Sequence, residues 1–85
     1  MNEKRLSRDI VGKLVVTKEG KRVGLVKDIS FETRSGELIH LLISSPTQYA
    51  LSLNVEHDKE GGILIPFSAI LAIGDFVVVS EEDMR

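Results

Sequence analysis

The sequence contains no cysteine. No disulfide can staple the fold, and no thiolate is on hand as nucleophile or metal ligand. The absence fits a reducing compartment without demanding one. Histidine is almost as scarce, with His40 and His57 the only two. Neither belongs to a cluster with ligand spacing, whereas zinc takes three or four protein ligands. His40 lies in an apolar run and reads as a packed or interface residue. His57 heads a charged turn, beside Asp58 and Glu60, and reads as solvated. No nucleophile elbow, phosphate loop or dinucleotide fingerprint is present. Gly61 and Gly62 are turn glycines, and Ser44, Ser45 and Ser52 have no neighbouring base to activate them. The expectation is a protein that is not an enzyme, with no catalytic, cofactor-binding or metal-binding residue and no cofactor.

Long apolar runs are also missing. The longest, residues 63–73, is interrupted by Pro66 and Ser68, far short of the ~20 apolar residues of a membrane helix. Residues 1–9 are polar and carry Lys4, Arg5 and Arg8, with no apolar stretch after them such as a secretory signal needs. The chain is therefore expected to be cytoplasmic, with no membrane span. Aromatic residues are few: Phe31, Tyr49, Phe67 and Phe76. The three phenylalanines fall at core-like strand positions, which leaves little for base stacking. The net charge of −2 also argues against nucleic acid as a partner. That charge is uneven. Residues 1–42 hold nine Lys/Arg against six Asp/Glu, and residues 43–85 hold two against seven. Lys13, Lys18, Lys21, Arg22 and Lys27 surround one predicted hairpin and are the one basic cluster that could meet RNA.

What is present is a succession of short β patterns. At 85 residues the chain makes one domain, 1–85, with a thin core. Its structured part is expected at 7–80, with a frayed acidic tail at 81–85. Residues 7–12 read as one helical turn, capped by Ser7 and closed by Gly12. Strands follow at 13–17 and 22–32 around a turn at Gly20. Within the second strand the apolar phase slips between Val26 and Ile29, which predicts a β-bulge at Lys27-Asp28. Residues 33–36 form the next turn. The strand at 37–44 is apolar on both faces, so something is expected to cover its outer face. Residues 49–55 alternate cleanly, with Tyr49, Leu51, Leu53 and Val55 on one side, and predict a half-buried strand. A turn at 57–62 leads to a strand at 63–67, which Pro66 places at an edge or an end. A short turn and strand fill 68–73, Gly74-Asp75 turns the chain, and 76–80 closes it. The pattern is all-β: about six short antiparallel strands with one N-terminal helical turn, the signature of a small barrel or sandwich.

This order resembles the PRC-barrel family. The residues that carry the resemblance are Ser7, Gly12 and Lys13 at the first strand and the run from Gly20 through Gly24 and Asp28 to Ile29, with Phe31 and Glu32 after it. The closing run Ile65-Pro66-Phe67 and Ile73-Gly74-Asp75-Phe76 carries it too. Together they span 7–80. Gly20, Gly24, Asp28, Pro66, Gly74 and Asp75 are structural positions of this motif, useful for turns and close approaches and not inherently catalytic. The resemblance implies a small PRC-type β-barrel. Freestanding chains of this length look like the archaeal PRC-barrel proteins that serve FtsZ-based cell division with SepF. It therefore implies a non-catalytic adaptor at the division site that docks SepF or a paralogous PRC-barrel protein. The runner-up is a barrel like that of the ribosome maturation factor RimM, binding a ribosomal protein or RNA. The apolar strands also suggest a dimer, with Leu38, His40, Leu42, Leu51 and Leu53 as candidate contacts.

Overall fold

The computed structural model describes residues 9–31, 34–35 and 38–84. Asp9 and Ile10 are helical, and Gly12 closes this turn at φ +93°. The Ser7 cap and the outer residues of the turn at 33–36 lie outside the described residues, as does Glu32. Among the described residues seven strands form one sheet: β1 (Leu14–Thr17), β2 (Arg22–Phe31), β3 (Leu38–Ser44), β4 (Glu56–His57), β5 (Ile63–Pro66), β6 (Ile70–Ile73) and β7 (Val77–Val79). Their spatial order is β4-β5-β3-β2-β1-β7-β6. Buried residues of β5 (Ile63, Ile65) and of β7 (Val77, Val79) share one core cluster. They come from opposite halves of the sheet, so the sheet must curl around that core into a small barrel.

The count of seven among the described residues agrees with the expected small barrel of about six strands. One pair departs from the antiparallel expectation: β1 runs parallel to β7, with Val15 opposite Val77 and Thr17 opposite Val79. A parallel neighbour needs a long crossover connection, here the whole of β2 through β6. No local signal encodes it.

The first hairpin follows from its turn chemistry. Gly20 sits at φ +88°, a conformation other L residues rarely take. Its N–H donates to the Thr17 carbonyl at 2.8 Å, and the buried Thr17 Oγ1 accepts from Lys21 N–H at 3.1 Å. β2 then bends. Its register against β3 shifts between Val26 and Asp28, which lets Val26 and Ile29 both face the core despite their odd spacing. Asp28 Oδ1 accepts the Ile29 N–H at 2.8 Å within this bulge.

After β3 the chain does not continue into the strand expected at 49–55. Ser45 turns it at φ +50°, and a short helix, α1 (Gln48–Ser52), follows. Thr47 caps it: Oγ1 accepts from Ala50 N–H at 3.2 Å and itself donates to the Arg22 carbonyl at 2.8 Å. One hydroxyl thus ends a helix and ties it to β2. Ala50 is the residue α1 buries, and Tyr49 and Leu53 pack against the core from either side of it.

Residues 81–84 are not a frayed tail, and Arg85 lies outside the described residues. Glu82–Met84 form a 3₁₀ turn, and Met84 is 2% exposed within the core cluster. Asp83 N–H donates to the Ser80 carbonyl at 3.1 Å, and Ser80 N–H to the Ala69 carbonyl at 2.8 Å. The Tyr49 hydroxyl bonds Glu81. This turn and α1 thus each add a side chain, Met84 and Ala50, to the barrel core.

Candidate interaction surface

The barrel interior is filled by aliphatic side chains, so any site must lie outside it. His40 is half-buried on β3, opposite Ser30 on one side and Pro66 on the other. His57 is exposed on β4, opposite Ile63. Among the described residues no group of three His, Cys, Asp or Glu is placed to hold a metal ion. One cleft of about 140 Å³ lies beside Ser45, between Lys27 and the turn at Asp58, Glu60 and Gly61. A Lys27–Glu60 ion pair at 3.5 Å joins its two sides.

The sequence candidates are distributed unevenly. His40 and Leu42 are two apart on β3 and share its outer face, where Leu42 stands opposite Leu64 and Asp28. Asp28, Ile29, Ser30, Leu42 and Leu64 line a shallow groove there. Leu38 begins β3, opposite Phe31. Leu51 is exposed on α1, but Leu53 turns inward against the core. Leu51 and Leu53 therefore do not extend a flat apolar strand beside β3. Of the structural motif residues, Pro66 ends β5 and Gly74-Asp75 sits between β6 and β7.

A second apolar region was not among the candidates. Phe67 is 54% exposed, Leu71 53%, Ile73 41% and Phe76 51%. Phe67 and Phe76 had core-like places in the pattern, and the structure overturns that. Residues 71–76 are exposed without a break. Their setting explains it: β6 pairs with β7 alone among the described residues, so it is an edge strand with one neighbour to pack on. No local signal marks this edge, because it depends on which strand ends the sheet. A strand at the rim of a small sheet cannot bury all of its apolar residues.

The basic hairpin is partly neutralised by the molecule's own C-terminal turn. Lys18 lies 3.7 Å from Glu82. Lys21 sits 4.7 Å from the ring centroid of Tyr49, whose hydroxyl bonds Glu81. Two acidic residues of the C-terminal turn, Glu81 and Glu82, thus sit beside the hairpin.

The curled seven-stranded sheet of the described residues, with its aliphatic interior, defines a small β-barrel. The family comparison agrees on the fold: the PRC-barrel domain matches residues 2–84, and the chain belongs to that family. It is also similar to an uncharacterised protein of the archaeon Methanocaldococcus jannaschii, with 27% identity over 83 residues, covering 98% of this chain and 89% of that protein.

Proposed function

We propose that this PRC-barrel is a non-catalytic protein-interaction adaptor of archaeal FtsZ-based cell division, docking SepF or a paralogous PRC-barrel protein. The observation that carries the interaction reading is the amount of apolar surface left outside the core. Val11, Leu25, Leu51, Phe67, Leu71, Ile73 and Phe76 are all more than 40% exposed, and six consecutive exposed residues include four of apolar type. Scattered apolar residues are ordinary on a surface, but contiguous ones mark docking sites. The division role rests on the resemblance to freestanding archaeal barrels, and the archaeal relative is consistent with it. The partner-binding face is assigned to the outer side of β3, through His40 and Leu42, with Leu51 of α1 as a further contact. The ribosomal or RNA-binding alternative would use the basic hairpin, where Lys18 makes an exposed ion pair with Glu82.

A fluorescent fusion expressed in archaeal cells tests the role. The wild type is expected to gather in a band at the division site, and Leu42→Glu to spread through the cell at equal abundance. Diffuse fluorescence of the wild type together with co-sedimentation on ribosomes would replace the division reading with the ribosomal one.

A further inference from the structure

We infer that the outer face of β2, β3, β5 and β4 takes a cationic amphipathic segment of a partner protein, an apolar side chain flanked on both sides by Lys or Arg. The inference rests on the interaction-module reading and deepens it, by naming the chemistry that the β3 face selects.

The register puts the residues concerned on one face. Leu41, Ile43, Ile63 and Ile65 are fully buried, so the alternate residues of β3 and β5 point outward. Leu42 stands opposite Asp28 on β2 and Leu64 on β5, and Leu64 stands opposite Glu56 on β4. One row across four strands therefore reads Asp28, Leu42, Leu64, Glu56, and opposed side chains in such a row lie side by side. Both leucines are half-buried and line the shallow groove with Asp28, Ile29 and Ser30. Its volume is about 130 Å³. That is well below the ~300–1,000 Å³ of a small-molecule pocket and suits a single apolar side chain. Leu42 also borders the cleft beside Ser45, so it is the lip between two depressions.

Charge selects the occupant. Asp28 and Glu56 are exposed at the two ends of the row, and neither has an ion-pair partner among the described residues. The adjoining turn adds Asp58 and Glu60 against Lys59, and Lys27 beside it lies 3.5 Å from Glu60. The face is thus apolar in the middle and net acidic at its rim. Such a rim repels RNA and anionic lipid and attracts a basic protein segment. The segment must carry two cations. Three interstrand steps separate Asp28 from Glu56 by ~14 Å, too far for one cation to serve both. Two turns of helix rise ~11 Å, and the long stems of Lys or Arg supply the rest.

Titration of the isotope-labelled full chain with an amphipathic peptide of Leu and Lys, followed by amide chemical shifts, reads the face directly. The same peptide with Glu in place of Lys is the control. The Lys peptide is expected to shift the amides of Asp28, Leu42, Leu64 and Glu56 saturably, and the Glu peptide to shift none of them. The double variant Asp28→Asn, Glu56→Gln should bind the Lys peptide about fivefold more weakly. Asparagine keeps an oxygen for the Ile29 N–H, which Asp28 accepts at 2.8 Å, so the bulge is retained. Glu82→Gln, on the C-terminal turn, should bind like the wild type. Equal weakening by Glu82→Gln would mean diffuse charge attraction and overturn the inference. So would an absence of shifts with the Lys peptide at ~1 mM, or a preference for the Glu peptide. Shifts of the same amides with chain concentration alone would give the face to a second copy and overturn it too. SepF binding separates this inference from the docking reading. Binding lost in Leu42→Glu but intact in the double variant removes the cationic occupant and leaves docking on β3 standing. Binding intact in both removes the β3 face as well.

Discussion

Replacing Gly24 by alanine should destabilise the barrel by about 3 kcal/mol, because the new methyl group has nowhere to go. A Cβ at this position would lie 2.5 Å from Ile43 Cγ2, 2.8 Å from the Ser44 carbonyl oxygen and 3.3 Å from that of Ser45. Ile43 is fully buried, and its β-branched side chain has few alternative rotamers. The Ser44 and Ser45 oxygens belong to the backbone that turns β3 back along β2. Thr47 fixes that return, its N–H donating to the Val23 carbonyl at 3.0 Å and its hydroxyl to that of Arg22. The strands must therefore part if the methyl is to fit. For a domain of this size ~3 kcal/mol corresponds to a fall of roughly 12–24 °C in Tm. Gly74 is the control from the same sequence motif. A Cβ added there would meet no atom within 4 Å, and the residue's φ is not in the left-handed region, so Gly74→Ala should stay within about 0.5 kcal/mol of wild type. Urea denaturation of both variants checks the pair. Equal stabilities would mean that β2 and β3 do not approach as described.

The second large effect is expected at the C-terminus. Met84→Ala should cost about 2–4 kcal/mol, and ending the chain after Ser80 at least as much. Met84 is 2% exposed and sits in the same cluster as Ile65, Ala69 and Val79. Truncation would also remove the Glu81 carboxylate that bonds the Tyr49 hydroxyl. A chain of 85 residues has a thin margin of stability, so either change should be visible as a large drop in the urea midpoint. Glu82→Ala separates packing from charge. Its ion pair with Lys18 is exposed at both ends, 45% and 74%, and such pairs contribute little. A truncation with an unchanged midpoint would restore the reading of 81–85 as a loose tail.

Much of the barrel is legible in the sequence because its signals are local. Turn glycines, period-two runs and the slipped phase between Val26 and Ile29 each act within a few residues. The structure places strands and a register shift at those points. The segment at 49–55 misled for a local reason too. The alternation set Leu51 on the buried side and Ala50 on the wet side, but the short helix buries Ala50 and exposes Leu51. Thr47 after Pro46 was the capping signal that favours the helix. Met84 was hidden by its acidic neighbours, whose charge says nothing of where the one apolar side chain goes. The exposed edge at 71–76 was not legible, since it depends on which strand ends the sheet, and the parallel β1–β7 pairing that decides this is set by the whole chain.

Under the proposed function, the outer apolar surface of this barrel binds protein. Isothermal titration of the full chain with purified SepF from the same organism tests it most directly. The wild type is expected to bind saturably, with Leu42→Glu losing tenfold or more in affinity and the core-neutral Gly74→Ala losing none. No heat of binding from the wild type to either SepF or a paralogous PRC-barrel protein, with the chain folded, would contradict the account.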